Sequence, residues 1–266
     1  MSSRLDAEYA DPTPLRVRID THERYSEKPH DPGGEVLTAL ALSGGEYLAD
    51  VGCGDARFLA RLVAYGHRGP LLGIDTSPAM VAAAQAVPGV RGVRADARHI
   101  PFDDNTFDVL TARHMLYHVP DPAAALHEFR RTTKPGGTVA VVVNHAETCP
   151  HISELVDAHA ASYGIEPGAA PPRTVDSETL PRLMSDIFGS VHVQRCDNAL
   201  VFDNPAPLIR FAEAIFGCRG IERDHPDRDA ILADLSADVE DWFGHHRGRT
   251  WRDPKGYVVA TALVAE

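Results

Sequence analysis

The stretch Leu48–Leu62, LADVGCGDARFLARL, decides how this chain is read. A short apolar run carrying one acid, Asp50, stops at Gly52-Cys53-Gly54. A helical pattern follows, with Phe58, Leu59, Leu62 and Val63 on one face and Gly66 as its stop. A buried strand that turns straight into a helix fits this order. Glycine suits such a turn for two reasons: it accepts positive φ, and it lets a ligand approach the main chain where a Cβ would stand in the way. Alone, G-x-G fits a plain tight turn as well as a binding site.

The flanking sequence repeats the unit. GPLLGID reads as a second strand ending in Asp75, and Ser77-Pro78 opens a helix over AMVAAAQAV. VRGVRAD is a third strand followed by Asp96, and FDVLTAR is a fourth. DPAAALHEFRRTTKPGG reads as a helix from Asp-Pro to Pro-Gly-Gly, and TVAVVVN is a fifth, β-branched strand. Alternating strands and helices predict right-handed crossovers and a parallel sheet, and near-continuous apolar strands predict helices on both of its faces. Upstream, residues 35–43 fit a helix with Val36, Leu37, Leu40 and Ala41 on one face. Residues 1–34 are polar and proline-rich, an arm with one short helix. After Asn144 the rhythm changes. Residues 145–189 read as helical and irregular, with PGAAPPR (Pro167–Arg173) as a loop. SVHVQRCDNALVF is a strand region, 204–247 is helical again, and GYVVATALVA is a last strand. The expected organisation is an arm and lid over 1–34, a cofactor-binding core over 35–144, helical substrate-cap insertions over 145–255, and a final core strand over 256–266.

Three acids change the weight of the glycine turn. Asp50, Asp75 and Asp96 lie at or beside the C-terminal ends of three successive strands, the edge at which open α/β sheets bind ligands. Asp75 is placed to accept from both hydroxyls of a ribose, Asp50 to meet a cationic group, and Asp96 to accept from an exocyclic amine. No Arg or Lys stands in the turn before Arg57, which occupies the third glycine position of G-x-G-x-x-G, so a dinucleotide pyrophosphate fits less well.

LADVGCGDARFLARL, GIDTSPAMVAAA and the block VRADARHIPFDDNTFDVLTARHMLYHVPDPAAALHEFRRTTKPGGTVAVVV resemble successive motifs of the class I S-adenosylmethionine-dependent methyltransferases of the small-molecule branch. The likeness covers roughly residues 45–144. It implies a Rossmann-like, doubly wound α/β fold, a seven-stranded sheet in the order 3-2-1-4-5-7-6 with strand 7 antiparallel. It also implies S-adenosyl-L-methionine as cofactor and S-adenosyl-L-homocysteine as product. By the same resemblance, Asp50, Gly52, Cys53 and Gly54 line the methionine part. Asp75 holds the ribose hydroxyls, with Thr76 and Met80 flanking ribose and adenine. Asp96 accepts from the adenine amine, the Ala97 backbone meets the ring, and Arg113 stands where the fourth strand passes the methionine, unusual in its charge. Ala56 replaces the frequent third glycine.

Methyl transfer from a sulfonium needs the acceptor held in line and water kept out, and only some acceptors need a base. Candidate bases follow the fourth strand in ARHMLYHVPDP, where His114 and His118 share a face if the segment is helical. His145 follows the fifth strand. His118 fits a packing or substrate-contact role, and the His114/His118 pair read as metal ligands is the weaker alternative, so no metal is expected. In the arm, His22 and Tyr25 are candidates to close over the substrate. The basic, aromatic stretch HHRGRTWRDPK (His245–Lys255) reads as a solvated loop or an anion contact.

Composition bounds the rest. The chain has 266 residues and a formal charge of −12, which disfavours a phosphate polymer or an anionic membrane as partner. The start of the chain has no apolar signal region, no apolar run is long enough to span a bilayer, and the four cysteines form no C-x-x-C pair, which points to the cytoplasm. The expected function is O-, N- or C-methylation of a small metabolite, one of secondary metabolism, by a monomer or homodimer with no nucleic-acid or membrane partner. The alternatives are an RNA methyltransferase, a nicotinamide-dependent oxidoreductase, and a cofactor-binding protein that does not methylate, either a regulator or a cyclase.

Overall fold

The computed structural model describes residues 13–166 and 175–265. The loop expected at Pro167–Arg173 and the first twelve residues of the arm lie outside these. In chain order the elements are α1 (Thr13–Arg24), α2 (Pro32–Leu40), β1 (Leu48–Val51), α3 (Arg57–Ala64), β2 (Leu71–Asp75), α4 (Pro78–Ala86), β3 (Val90–Arg94) and β4 (Phe107–Arg113). A 3-10 turn (Leu116–His118), α5 (Pro122–Thr132), β5 (Thr133–Asn144), α6 (Pro150–Ser162), α7 (Leu180–Phe188) and β6 (Val191–Phe202) follow. The last elements are α8 (Pro205–Ala214), a second 3-10 turn (Gly217–Arg219), α9 (Arg228–His245) and β7 (Trp251–Leu263). Contacts divide the chain into a sheet unit (Asp31–Ala146, Arg173–Cys196, Tyr257–Glu266) and a helical unit (Met1–His30, Glu147–Pro172, Asp197–Gly256). Among the described residues no helix is long and apolar enough to cross a membrane.

The sheet has seven strands in the order β3-β2-β1-β4-β5-β7-β6. β1 pairs in parallel with β2 and β4, β2 with β3, and β4 with β5, whereas β7 runs antiparallel to β5. This is the expected topology. Side chains alternate between two faces along each strand. Ala49, Val51, Val139, Val141 and Val143 pack on one face with Leu126 and Phe129 of α5 and Leu180 and Met184 of α7. Leu48, Ala140 and Val142 pack on the other with Val36 of α2, Phe58, Leu59 and Leu62 of α3, and Ala84 of α4. Two apolar layers thus enclose the central strands, which is why the sequences of β1, β2, β4 and β5 carry apolar runs without a polar face, whereas β3 at the edge is partly polar.

The Pro-Gly-Gly after α5 does not end that helix. α5 stops at Thr132, and Thr133–Asn144 is already strand. Opposite β4 the register runs from Phe107↔Thr133 to Val109↔Thr138, so Lys134–Gly137 forms a bulge in β5. Glycine is required there by close approach, because a Cβ on Gly137 would stand 2.8 Å from the Asp108 carbonyl oxygen.

The helical unit has its own core, in which Ile152 and Val156 of α6, Leu208 and Phe211 of α8, and Leu235 and Val239 of α9 pack with Phe202 and Phe216. Asp253 is fully buried and accepts from the His151 and Ile152 amides at 3.1 and 2.7 Å, capping the start of α6. Burial pushes its carboxyl above the ordinary value despite these bonds.

Candidate active site

β1 ends at Val51, and the chain turns through Gly52 (φ 67°) and Gly54 (φ 54°) before α3 begins. The Gly52 and Cys53 amides both donate to the Ile74 carbonyl oxygen, at 2.7 and 3.1 Å, which ties the turn to β2. Gly52 has no room for a side chain, since a Cβ would lie 2.6 Å from Met115 Cβ and Cγ. At Gly54 the opposite holds: a Cβ there would have no heavy atom within 4 Å, so the main chain faces open space. Cys53 is buried, and burial together with the Asp50 and Asp75 carboxylates pushes its thiol up, away from the reactive thiolate.

The turn also explains Ala56. It is the N-cap of α3 and sits at φ 60°, in the left-handed region where a Cβ costs about 1–2 kcal/mol. Ala56→Gly is expected to raise stability by about 0.5–1 kcal/mol after the added chain entropy of glycine is offset. Urea unfolding measures this. A loss of stability would mean that packing of the buried Ala56 methyl outweighs the backbone.

The strand register carries the three acids along a diagonal. Asp50 lies opposite Gly73, and Asp75 stands two residues further along β2. Asp75 in turn lies opposite Arg94, and Asp96 is two residues beyond that. Each step is one strand across and about 7 Å along. Asp75 is half-buried and accepts from the Gly54 amide at 3.1 Å and the Ser77 amide at 2.9 Å, so it is fixed against the open turn. Thr76 is exposed beside it, and Met80 is partly buried in the first turn of α4. Asp96 is gripped by Arg98 through Nε, Nη2 and the amide, at 3.0, 2.8 and 2.9 Å. That guanidinium holds the Asp96 carboxyl down at about 2. Ala97 next to it is buried.

Asp50 is 0% exposed. Its Oδ1 accepts from the Thr111 hydroxyl at 2.7 Å and Arg113 Nε at 3.2 Å, and its Oδ2 from Arg113 Nη2 at 2.8 Å. The cation that meets Asp50 is therefore one of the chain's own. Arg113 Cζ also lies 4.1 Å from the Phe58 ring centroid, a cation–π contact. Thr111 and Phe58 are parts of the site that the sequence pattern does not flag. Only the register, which sets Thr111 opposite Asp50, reveals the first.

The histidines are arranged differently from a helical pair. β4 ends at Arg113, and His114 turns the chain at φ 52° with its amide on the Val142 carbonyl oxygen, 2.9 Å. Its ring lies edge-on to Tyr257, centroids 5.9 Å apart. His118 is exposed in the 3-10 turn, its ring against Tyr117. The two therefore do not share a helical face, because the left-handed residue breaks any helix at its first position. His145 is buried just beyond β5. Among the described residues no three His, Cys, Asp or Glu side chains converge as a metal site.

His22 and Tyr25 belong to the helical unit. His22 Nδ1 is 2.9 Å from Lys255 Nζ, and burial lowers that amine to about 8. The Tyr25 ring lies 5.3 Å from Phe202, and its carbonyl accepts from the Val201 amide at 2.8 Å. The stretch His245–Lys255 is not a solvated loop throughout. Trp251 packs edge-on to Trp242, Asp253 and Lys255 are buried, and Arg252 pairs with Glu27.

Residues 49–141 match the family model described as a methyltransferase domain. This core has the class I methyltransferase fold. The curated demethylmenaquinone methyltransferase of Staphylococcus epidermidis is 33% identical over 125 residues, which is 45% of this chain and 52% of that protein. The chain thus spans about half the length of the curated relatives it matches. Among solved structures, the [4+2]-cyclase SpnF aligns over 100% of this chain and 98% of its own, with TM-score 0.60 and 20% identity. Phosphoethanolamine N-methyltransferase 2 of Haemonchus contortus was solved with phosphomonomethylethanolamine and S-adenosylhomocysteine. It aligns over 100% of this chain and 61% of its own, with TM-score 0.57 and 15% identity. At these identities the structural likeness concerns the methyltransferase fold.

Proposed function

We propose that the protein is an S-adenosylmethionine-dependent methyltransferase that acts on a small metabolite, of the kind made in secondary metabolism. One observation carries this reading: the open main chain at Gly54 with Asp75 hydrogen-bonded to its amide, at the C-terminal edge of a methyltransferase fold. The donor set suits the cofactor. Asp75 keeps lone pairs for two ribose hydroxyls, Asp96 with Ala97 borders the adenine, and the bare backbone at Gly54 lets the chain of the cofactor pass. The bound cofactor supplies an activated methyl group. The residues around it orient the acceptor, exclude water and, for a weakly acidic acceptor, take up a proton at the His114 imidazole.

The curated relatives are named for a small molecule, demethylmenaquinone, which supports a small-molecule acceptor here. The charge of −12 argues against RNA. Calorimetry with S-adenosylmethionine and S-adenosylhomocysteine tests the cofactor. Release of S-adenosylhomocysteine together with a one-methyl mass gain on candidate acceptors tests the reaction. Binding without transfer to any acceptor would support a regulator or cyclase, and no binding of either compound would end the reading.

Asp75→Ala should weaken cofactor binding by an order of magnitude or more. Two charge-assisted bonds to the ribose, worth about 1.5–3 kcal/mol each, are lost together with the tether on the Gly54 amide. An unchanged dissociation constant in a folded variant would place the ribose elsewhere.

A further inference from the structure

We infer that Arg113, held in place by Asp50, is the receptor for the carboxylate at the amino-acid end of the cofactor, so that this end of the site selects a carboxylate rather than an ammonium group. The inference rests on the cofactor reading above and deepens it.

Asp50 has only one acceptor position left, on Oδ2, and no exposed surface through which to offer it. It is fully buried, and both of its oxygens already accept from Thr111 or Arg113. A ligand ammonium could reach it only by displacing a guanidinium that makes two bonds to it. Arg113 is in the reverse position. The register Asp50↔Thr111 and Val51↔Ala112 sets it next in line beside Gly52, at the strand-to-helix turn. Its side chain is 18% exposed. Nε and Nη2 are committed to Asp50, and the face of the guanidinium rests on Phe58. Nη1 bonds to no described residue. Two of the three nitrogens are thus immobilised and the third is presented. A planar, preorganised guanidinium with free N–H groups is a carboxylate receptor, and its rotamer entropy is already spent on Asp50.

The pair has no net charge, so Asp50 neutralises Arg113 without competing for the ligand from solvent. Asp50 and Thr111 act as positioning residues, and Arg113 is the group that touches the ligand.

The test is titration calorimetry of the full chain with three ligands: S-adenosylhomocysteine, its decarboxylated analogue, and 5′-methylthioadenosine, which lacks both charged groups. In the wild type, S-adenosylhomocysteine should bind at least about tenfold more tightly than the decarboxylated analogue, the size of one charge-assisted bond. Arg113→Gln should weaken S-adenosylhomocysteine about tenfold or more and leave the other two nearly unchanged. Arg113→Lys should recover part of the loss, as a point charge without the fork. The wild-type comparison needs no variant, so it stands even if Arg113→Gln folds poorly. Equal or tighter binding of the decarboxylated analogue by the wild type would overturn the inference, as would a uniform loss for all three ligands in Arg113→Gln. Failure of all three to bind the wild type would overturn the cofactor reading itself, and this inference with it.

Discussion

Replacing Asp50 with leucine is expected to cost about 3 kcal/mol of folding stability. Removing one partner of a buried ion pair leaves the other charge uncompensated, which costs about 3–5 kcal/mol. Arg113 keeps some exposure, so the lower end applies. The Thr111 hydroxyl, also fully buried, loses its 2.7 Å acceptor in the same step. The cation–π contact with Phe58 remains, and it holds Arg113 over an apolar face instead of releasing it to water. Urea unfolding gives the number directly from the midpoint shift at constant slope. The double variant Asp50→Leu/Arg113→Leu should recover most of the loss, because no charge is then left behind. A single variant that loses under about 1 kcal/mol, within the range of an exposed pair, would show that the Asp50–Arg113 pair contributes little to the folded state.

The second large effect concerns rate. If the acceptor carries a weakly acidic hydroxyl, His114→Asn should lower turnover by roughly 10²–10⁴, the usual size of general-base assistance. Asparagine is the informative replacement because residue 114 sits at φ 52°, a region that asparagine tolerates better than alanine. The variant removes the base and keeps the turn. Stability and cofactor affinity should barely change, since the proposed cofactor contacts lie on other residues. The wild-type rate should rise with pH as the imidazole deprotonates, and that limb should disappear in the variant. A free amine acceptor should lose little, because positioning suffices for it. Near-wild-type turnover on a hydroxyl acceptor would remove His114 from the mechanism and direct attention to His145.

Much of the sheet unit was legible because its signals are local. The central strands β1, β2, β4 and β5 carry apolar runs, the crossover helices repeat every three to four residues, and the turns are marked by glycine, proline or an acid. The order of the seven strands then followed from the family likeness. What escaped depends on pairing across the sheet. Asp50 and Arg113 are far apart in sequence, and nothing near Asp50 says that its counter-ion lies on β4. Only the register brings them together. The Pro-Gly-Gly after α5 misled for a related reason. Those residues end helices in isolation, yet here the pairing with β4 draws them into a bulge. The face shared by His114 and His118 failed on a single dihedral angle that composition cannot reveal. In the helical unit, Asp253 and Lys255 read as surface charges, and only tertiary packing makes one a buried helix cap and the other a buried amine.

The position of β7 bears on how the chain matures during synthesis. β7 lies between β5 and β6 in the sheet but is made last of the seven. Until Leu263 has left the ribosome, β5 and β6 have no common neighbour and each presents a row of unsatisfied backbone N–H and C=O groups. Such open edges pair readily with other chains. A transcript cut short before Trp251 would therefore yield more than an enzyme lacking one strand. It would yield a nascent protein in which β5 has become an open edge and β6 has no strand to pair with, the kind of product that chaperones and proteases must remove.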